Sequence, residues 1–239
     1  MPLPRTPASS ALGKLLRWPL RWIPKSAVVT VRGGINAGLK WRVGAHTHGC
    51  WLGTYELPKQ QAVNRIVGAG MNVVDVGANA GFYTLAFSRL VGPSGHVWAF
   101  EPLASNVANL LHHVTLNRLD NVTVVQCALA EVAALRGFQR ASHDAMGALR
   151  ADADDYLVAT ARLDDVPMPV PDVVKIDVEG GELAVLRGAS RLIAQRRTTW
   201  LVALDDPDHA AACRALLEEA GYEITRLDSP DEIAATPRN

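Results

Sequence analysis

Apolar and polar positions change period along the chain, and the changes mark out its elements. Residues 27–32 (AVVTVR) and 39–43 (LKWRV) are short β-rich runs. They are separated by Gly33, Gly34, Asn36 and Gly38, a composition that predicts a hairpin. Residues 56–67 have helical character, and extended and helical runs then alternate to the end. Strands are predicted at 71–76 (MNVVDV), 96–100, 121–126, 171–176, 199–204 and 222–227, with helices at 81–91, 104–117, 182–195 and 208–220. Several strands are apolar throughout, as strands covered on both faces must be. Helical crossovers of this length require parallel pairing. The expected fold is therefore α/β, a Rossmann-like, doubly wound, mostly parallel sheet with an N-terminal β-hairpin extension. Residues 1–55 form that extension, packed on the core, and residues 56–239 the main domain. Residues 128–165 break the rhythm with short extended pieces such as 157–163, which predicts a local excursion of strands.

The length of 239 residues suits one such core. Apolar residues make up 49% and the net charge is zero, so neither disorder nor bulk nucleic-acid binding is expected. Cys50, Cys127 and Cys213 are scattered without paired spacing, which fits free thiols in a reducing, cytoplasmic compartment. No run approaches the ~20 apolar residues that cross a bilayer, and no secretory leader is expected. Residues 11–23 differ, since Leu12, Leu15, Leu16, Trp18, Leu20, Trp22 and Ile23 alternate with Lys14, Arg17 and Arg21. That mixture suits peripheral contact with a membrane surface, although Pro19 interrupts a helix and the tryptophans equally suit the domain's own core.

The clearest chemistry is VVDVGANAGFYTLAF, where an apolar strand ends in Asp75, passes Gly77, Asn79 and Gly81, and opens into a helix. Gly77 and Gly81 leave room for a ligand to approach the backbone. Asn79 stands where many such loops have a glycine, and asparagine tolerates positive φ. Phe82 starts the helix, where it either joins the core or covers the ligand. Glu101 ends the next strand, placed to accept both hydroxyls of an adenosine ribose. A dinucleotide uses the same architecture, so an NAD-type oxidoreductase is the first rival reading. Asp75 argues against it: a carboxylate there repels a pyrophosphate and attracts the positive ammonium and sulfonium of S-adenosylmethionine. A non-catalytic, membrane-peripheral cofactor-binding protein is the second rival.

Downstream, VVKIDVEGGE places Asp177 and Glu179 on one side of the chain if extended geometry continues. Two such carboxylates could take a proton from an acceptor hydroxyl or hold a divalent metal. Otherwise Glu179 and Glu182 complement a helix N-terminus and Lys175 pairs with a neighbour. His46, His48 and Cys50 cluster in HTHGC without a second ligand pair for zinc, leaving one histidine as a candidate base. RLDD at 162–165 reads as a solvated turn, unless Asp164 or Asp165 faces the cleft.

These motifs resemble the FkbM family of S-adenosylmethionine-dependent methyltransferases. The resemblance runs from GTYE at 53–56 through VVDVGANAGFYT, FEP at 100–102, Asn106, Asn117 and RLDD to VVKIDVEGGELAVLRG at 173–188. It implies a class I methyltransferase fold, with a sheet typically seven-stranded and one strand antiparallel near the C-terminal edge. It also implies O-methylation of a sugar, glycan or natural-product hydroxyl. Carried over residue by residue, Asp75, Gly77, Asn79, Gly81, Phe82 and Glu101 hold the cofactor, Ala128 lies near its adenine, and Asp177 and Glu179 border the methyl-transfer site. The chain departs from the family at Leu204, Asp205 and Asp206, where relatives commonly have Glu followed by His. It also ends soon after the sixth strand, leaving little length for a seventh.

Overall fold

The computed structural model describes residue 20 and residues 22–140, 147–149, 156–204, 207–227 and 231–238. The proposed membrane segment thus lies outside the described residues except for Leu20, Trp22 and Ile23, as do Asp205 and Asp206. Among the described residues, no helix is long and apolar enough to cross a membrane.

The hairpin forms as its glycine-rich turn predicts, Val28–Thr30 (β1) pairing antiparallel with Lys40–Arg42 (β2). Helices His48–Leu52 (α1) and Leu57–Ile66 (α2) follow. The alternation then begins with Asn72–Val76 (β3), Phe82–Val91 (α3), His96–Phe100 (β4), Ala104–Leu116 (α4) and Val122–Val125 (β5). The predicted excursion is a separate four-stranded sheet of Ala128–Leu129 (β6), Ala134–Arg140 (β7), Gly147–Leu149 (β8) and Tyr156–Ala161 (β9). Val173–Ile176 (β10), Glu182–Arg187 (α5), Ser190–Ala194 (α6), Thr199–Ala203 (β11), Pro207–Glu219 (α7), Tyr222–Arg226 (β12) and Glu232–Pro237 (β13) complete the chain.

Seven strands make the central sheet in the order β12-β13-β11-β10-β3-β4-β5. All neighbours are parallel except β13, which runs antiparallel to β11 and β12. The seventh strand corrects the expectation that too little chain remained for it. Residues 232–237 make only a short run, and they are held by pairing on both sides rather than by local preference. Side chains alternate between two apolar layers, as strand geometry requires. Val74, Val76, Val174, Ile176 and Trp200 face one layer, Val73, Val97, Val173 and Leu201 the other. The second layer also takes Trp41, Cys50 and Trp51, so the N-terminal extension packs into the sheet's own core.

His113 ties that extension to α4. Its Nε2 accepts the Arg42 amide at 3.0 Å, its Nδ1 lies 2.8 Å from the Ala80 carbonyl oxygen, and its ring stacks on Trp41 at 4.0 Å. Burial lowers its pKa to about 4, and it is therefore neutral.

The predicted helix 182–195 is two helices. A Cβ at Gly188 would overlap the Ala130 carbonyl, and the carboxylate of Asp164 caps α6 by accepting the amides of Arg191 (2.8 Å) and Leu192 (3.0 Å). RLDD is thus a helix-capping element, and neither Asp164 nor Asp165 reaches the cleft.

Candidate functional site

Strand order reverses between β3 and β10, and a crevice opens at such a point beyond the strand carboxyl ends. A cavity of about 750 Å³ lies there. One half is bounded by the loop 77–80, by Glu101, Leu103 and Asn106, and by Ala128 and Phe138. The other half is bounded by His46, Tyr55, Glu56, Lys175, Asp177 and Glu179.

In the first half the loop after β3 is closed on itself. The amides of Gly77 and Ala78 both donate to the Phe100 carbonyl at 3.0 Å, and that of Asn79 donates to Glu101 Oε2 at 2.8 Å. The Ala80 amide donates to Asn79 Oδ1 at 2.6 Å and the Gly81 amide to the Ala78 carbonyl at 2.8 Å. No amide of residues 77–81 is left bare. Asn79 adopts φ 51°, the left-handed conformation its residue type permits.

Both glycines are required by the protein's own packing. Gly77 has φ 75°, and a Cβ there would overlap the Asp177 carbonyl oxygen; at Gly81, φ 94°, it would strike the Leu110 side chain. Gly81 is off the cavity lining, while Phe82 and Ala128 are buried residues on it. Glu101 is 5% exposed, and its Oε1 accepts the Leu103 amide at 2.9 Å and Asn106 Nδ2 at 3.1 Å. Burial raises its pKa, against the pull of these donors.

Asp75 is placed differently from the expectation. It is fully buried behind the lining, accepting Thr84 Oγ1 at 2.6 Å and lying 3.1 Å from Lys175 Nζ. Its charge is met within the protein and is not presented to the cavity. The pairing follows from register, because Lys175 on β10 sits directly beside Asp75 on β3. A charge in each of two strands otherwise apolar was the available sign that they meet.

Lys175 continues the network, donating to the Gly77 carbonyl at 3.2 Å and reaching Asp177 Oδ2 at 3.6 Å. On the other side Lys59 from α2 meets Asp177 Oδ2 at 2.8 Å, Glu232 Oε1 at 2.6 Å and Glu56 Oε2 at 3.6 Å. Burial alone would raise the Asp177 carboxyl, but the ammonium groups of Lys175 and Lys59 outweigh it and hold the pKa well below the usual carboxylate range. Burial would lower both lysines, yet their carboxylate neighbours dominate and raise them.

Extended geometry stops at Ile176, and Glu179 lies at φ 56° on an exposed turn. Asp177 and Glu179 still border the same cavity. Glu182 instead closes the turn, its Oε1 accepting the amides of Gly180 (3.0 Å) and Val178 (3.3 Å). Among the described residues, no group of three or more His, Cys, Asp or Glu side chains is gathered as a metal would need.

Glu56 carried no role in the sequence reading, although it closes GTYE. It sits at φ 42°, and its Oε2 accepts the Tyr83 hydroxyl at 2.9 Å. Glu56, Asn79 and Glu179 all border the cavity and all hold positive φ, which costs a non-glycine residue about 1–3 kcal/mol and concentrates at functional sites.

Residues 75–224 match the model of the Methyltransferase FkbM domain. A methyltransferase named sdnD from Sordaria araneosa is 26% identical over 193 residues, covering 64% of this chain and 74% of the relative. Methyltransferase 1 of Beauveria bassiana (strain ARSEF 2860) is 27% identical over 187 residues, covering 66% and 74%. The crystal structure of Methyltransferase FkbM from Methylobacillus flagellatus KT superposes with a TM-score of 0.51 at 19% identity, over 76% of this chain and 50% of that one, a likeness of fold. With the domain match spanning most of the chain and the cleft lying where its motifs converge, this protein belongs to the FkbM methyltransferase family.

Proposed function

We propose that the chain is an S-adenosylmethionine-dependent O-methyltransferase acting on a hydroxyl of a sugar, glycan or natural-product small molecule. The observation that carries the cofactor reading is the closed loop at 77–81. A pyrophosphate is bound by bare amides, and these are already spent on Phe100, Glu101, Asn79 and Ala78. This replaces the charge of Asp75 as the argument against a dinucleotide. When bound, the cofactor supplies an electrophilic methyl on a sulfonium. Glu101, fixed by three donors, accepts the ribose hydroxyls, while Ala128 and Phe138 cover the adenine. Gly77, Asn79 and Gly81 shape the loop, Phe82 lines it, and Asp75 acts from behind by fixing Lys175.

Asp177 and Glu179 border the acceptor half. In this reading Asp177 is a fixed anion that orients the reactants, since both ammonium groups keep it ionised. Those same groups meet Asp177 through Oδ2, and we propose transfer by positioning. Residues 1–55 would be the extension that closes this half, and 56–239 the catalytic domain.

Isothermal titration with S-adenosylhomocysteine and NAD tests the reading. Saturable binding of the first and none of the second is expected. Binding of NAD alone would overturn it.

A further inference from the structure

The transfer needs a proton acceptor on the lining, and apart from Glu179 on its exposed turn the acidic groups there are held by other protein groups. A sugar-type hydroxyl must lose its proton as its oxygen is methylated. Yet Asp177 is pinned as an anion between Lys59 (2.8 Å) and Lys175 (3.6 Å). Lys59 and Lys175 are themselves kept protonated by the carboxylates around them. Tyr83 is buried and Tyr55 partly buried, and desolvation pushes up the pKa of both phenols, so they hold their protons. Glu56 Oε2 is taken up by Tyr83 and Lys59.

His46 is placed otherwise. It follows β2 in the N-terminal extension and lines the acceptor half. Its Nδ1 lies 3.6 Å from Sγ of Cys50, a fully buried residue off the lining, and its ring meets Tyr55 edge-on at 5.4 Å. With Nδ1 turned to Cys50, Nε2 makes no hydrogen bond to the described residues, and the residue lines the cavity. His209, the other described imidazole on the lining, stands exposed on α7.

From this geometry we infer that His46 is the general base of the transfer, taking the acceptor's hydroxyl proton on Nε2 while Nδ1–H is held against Cys50. The inference rests on the O-methyltransferase reading above. As the acceptor oxygen bonds to the methyl carbon, the carbon–sulfur electron pair returns to sulfur and the O–H proton passes to Nε2. The resulting imidazolium faces the carboxylates of Glu56 and Asp177 and the neutral Tyr55 and Cys50, and then loses its proton to solvent through the cavity. Burial lowers the His46 pKa against the opposing pull of Glu56 and Asp177, so the ring is neutral and ready at pH 7. Cys50 stays a thiol, its pKa raised by burial to about 12.

Two measurements on the full chain with bound S-adenosylhomocysteine test this. Long-range ¹H–¹⁵N NMR of labelled histidine is expected to show His46 as the neutral Nδ1–H tautomer at pH 7. An imidazolium, or an Nε2–H tautomer, overturns the proposal without need of an acceptor. Second, radiolabelled methyl transfer to a panel of methyl glycosides, inositols and phenols is compared for wild type, His46→Gln and His46→Ala between pH 5 and 9. Both variants should bind S-adenosylhomocysteine normally, turn over at least ~100-fold more slowly, and lose the acidic limb of the profile, with His46→Ala partly rescued by imidazole. Turnover within threefold of wild type in both variants overturns the role of His46. Wild-type binding of S-adenosylhomocysteine without transfer to any hydroxyl sinks the O-methyl reading instead, and the NMR result still decides the state of His46.

Discussion

Lys175 and Asp75 occupy paired positions on β10 and β3, and their side chains meet at 3.1 Å with almost no solvent exposure. The lysine is the hinge of the site's electrostatics, since the same ammonium touches the Gly77 carbonyl and reaches Asp177. Removing one partner leaves a buried charge uncompensated, which typically costs about 3–5 kcal/mol. Lys175→Met should therefore lower stability by that order in chemical denaturation. The double variant Asp75→Asn/Lys175→Met should lose clearly less than the two single losses combined. Additive losses would mean that the pair is not coupled.

Glu101 accepts from three N–H donors, those of Asn79, Leu103 and Asn106. Glutamine can keep only one oxygen there and would set its NH₂ against a donor. Glu101→Gln is expected to weaken S-adenosylhomocysteine roughly 10- to 100-fold by calorimetry, through loss of a charged acceptor and of loop geometry together. Unchanged affinity would remove Glu101 from the cofactor site.

His113 makes folding sensitive to acid. Its pKa is about 4 in the folded protein and 6.5 as a free side chain, so the unfolded chain binds the extra proton between those values. Stability is full above pH 6.5 and is lost as pH falls toward 4, by ~3 kcal/mol in all. Half-buried His46, whose pKa desolvation also lowers, adds in the same direction. Denaturation midpoints at pH 7 and pH 5 should differ accordingly, and His113→Gln should flatten the difference. A wild type equally stable at both values would refute the assignment.

The fold was legible because strands covered on both faces leave continuous apolar runs, and Gly and Asn mark the turns between them. The closing strand β13 was not, because its six residues owe their conformation to β11 and β12 rather than to their own pattern. At the site, Glu101 and the left-handed Asn79 could be read from spacing and residue type. The internal neutralisation of Asp75 could not be read from its own motif, because it depends on the register of a strand far along the chain. Likewise the packing of the Asp177 carbonyl against Gly77, which leaves no room for a Cβ, could not be read from the loop itself. Glu56 was hidden for a related reason: it borders the extension, whose position against the sheet is fixed by contacts such as Asn36 Nδ2 to the Phe82 carbonyl (2.8 Å) rather than by any local signal.

The single ammonium of Lys59 joins a helix near the start of the chain to Asp177 and to Glu232 on the final strand. During synthesis, then, Asp177 acquires its finished surroundings only after the last strand has threaded between β11 and β12. A nascent chain lacking residues 232–237 would have no Glu232 beside Lys59, and its acceptor half would be unsettled. The reactive end of the cleft would be completed last.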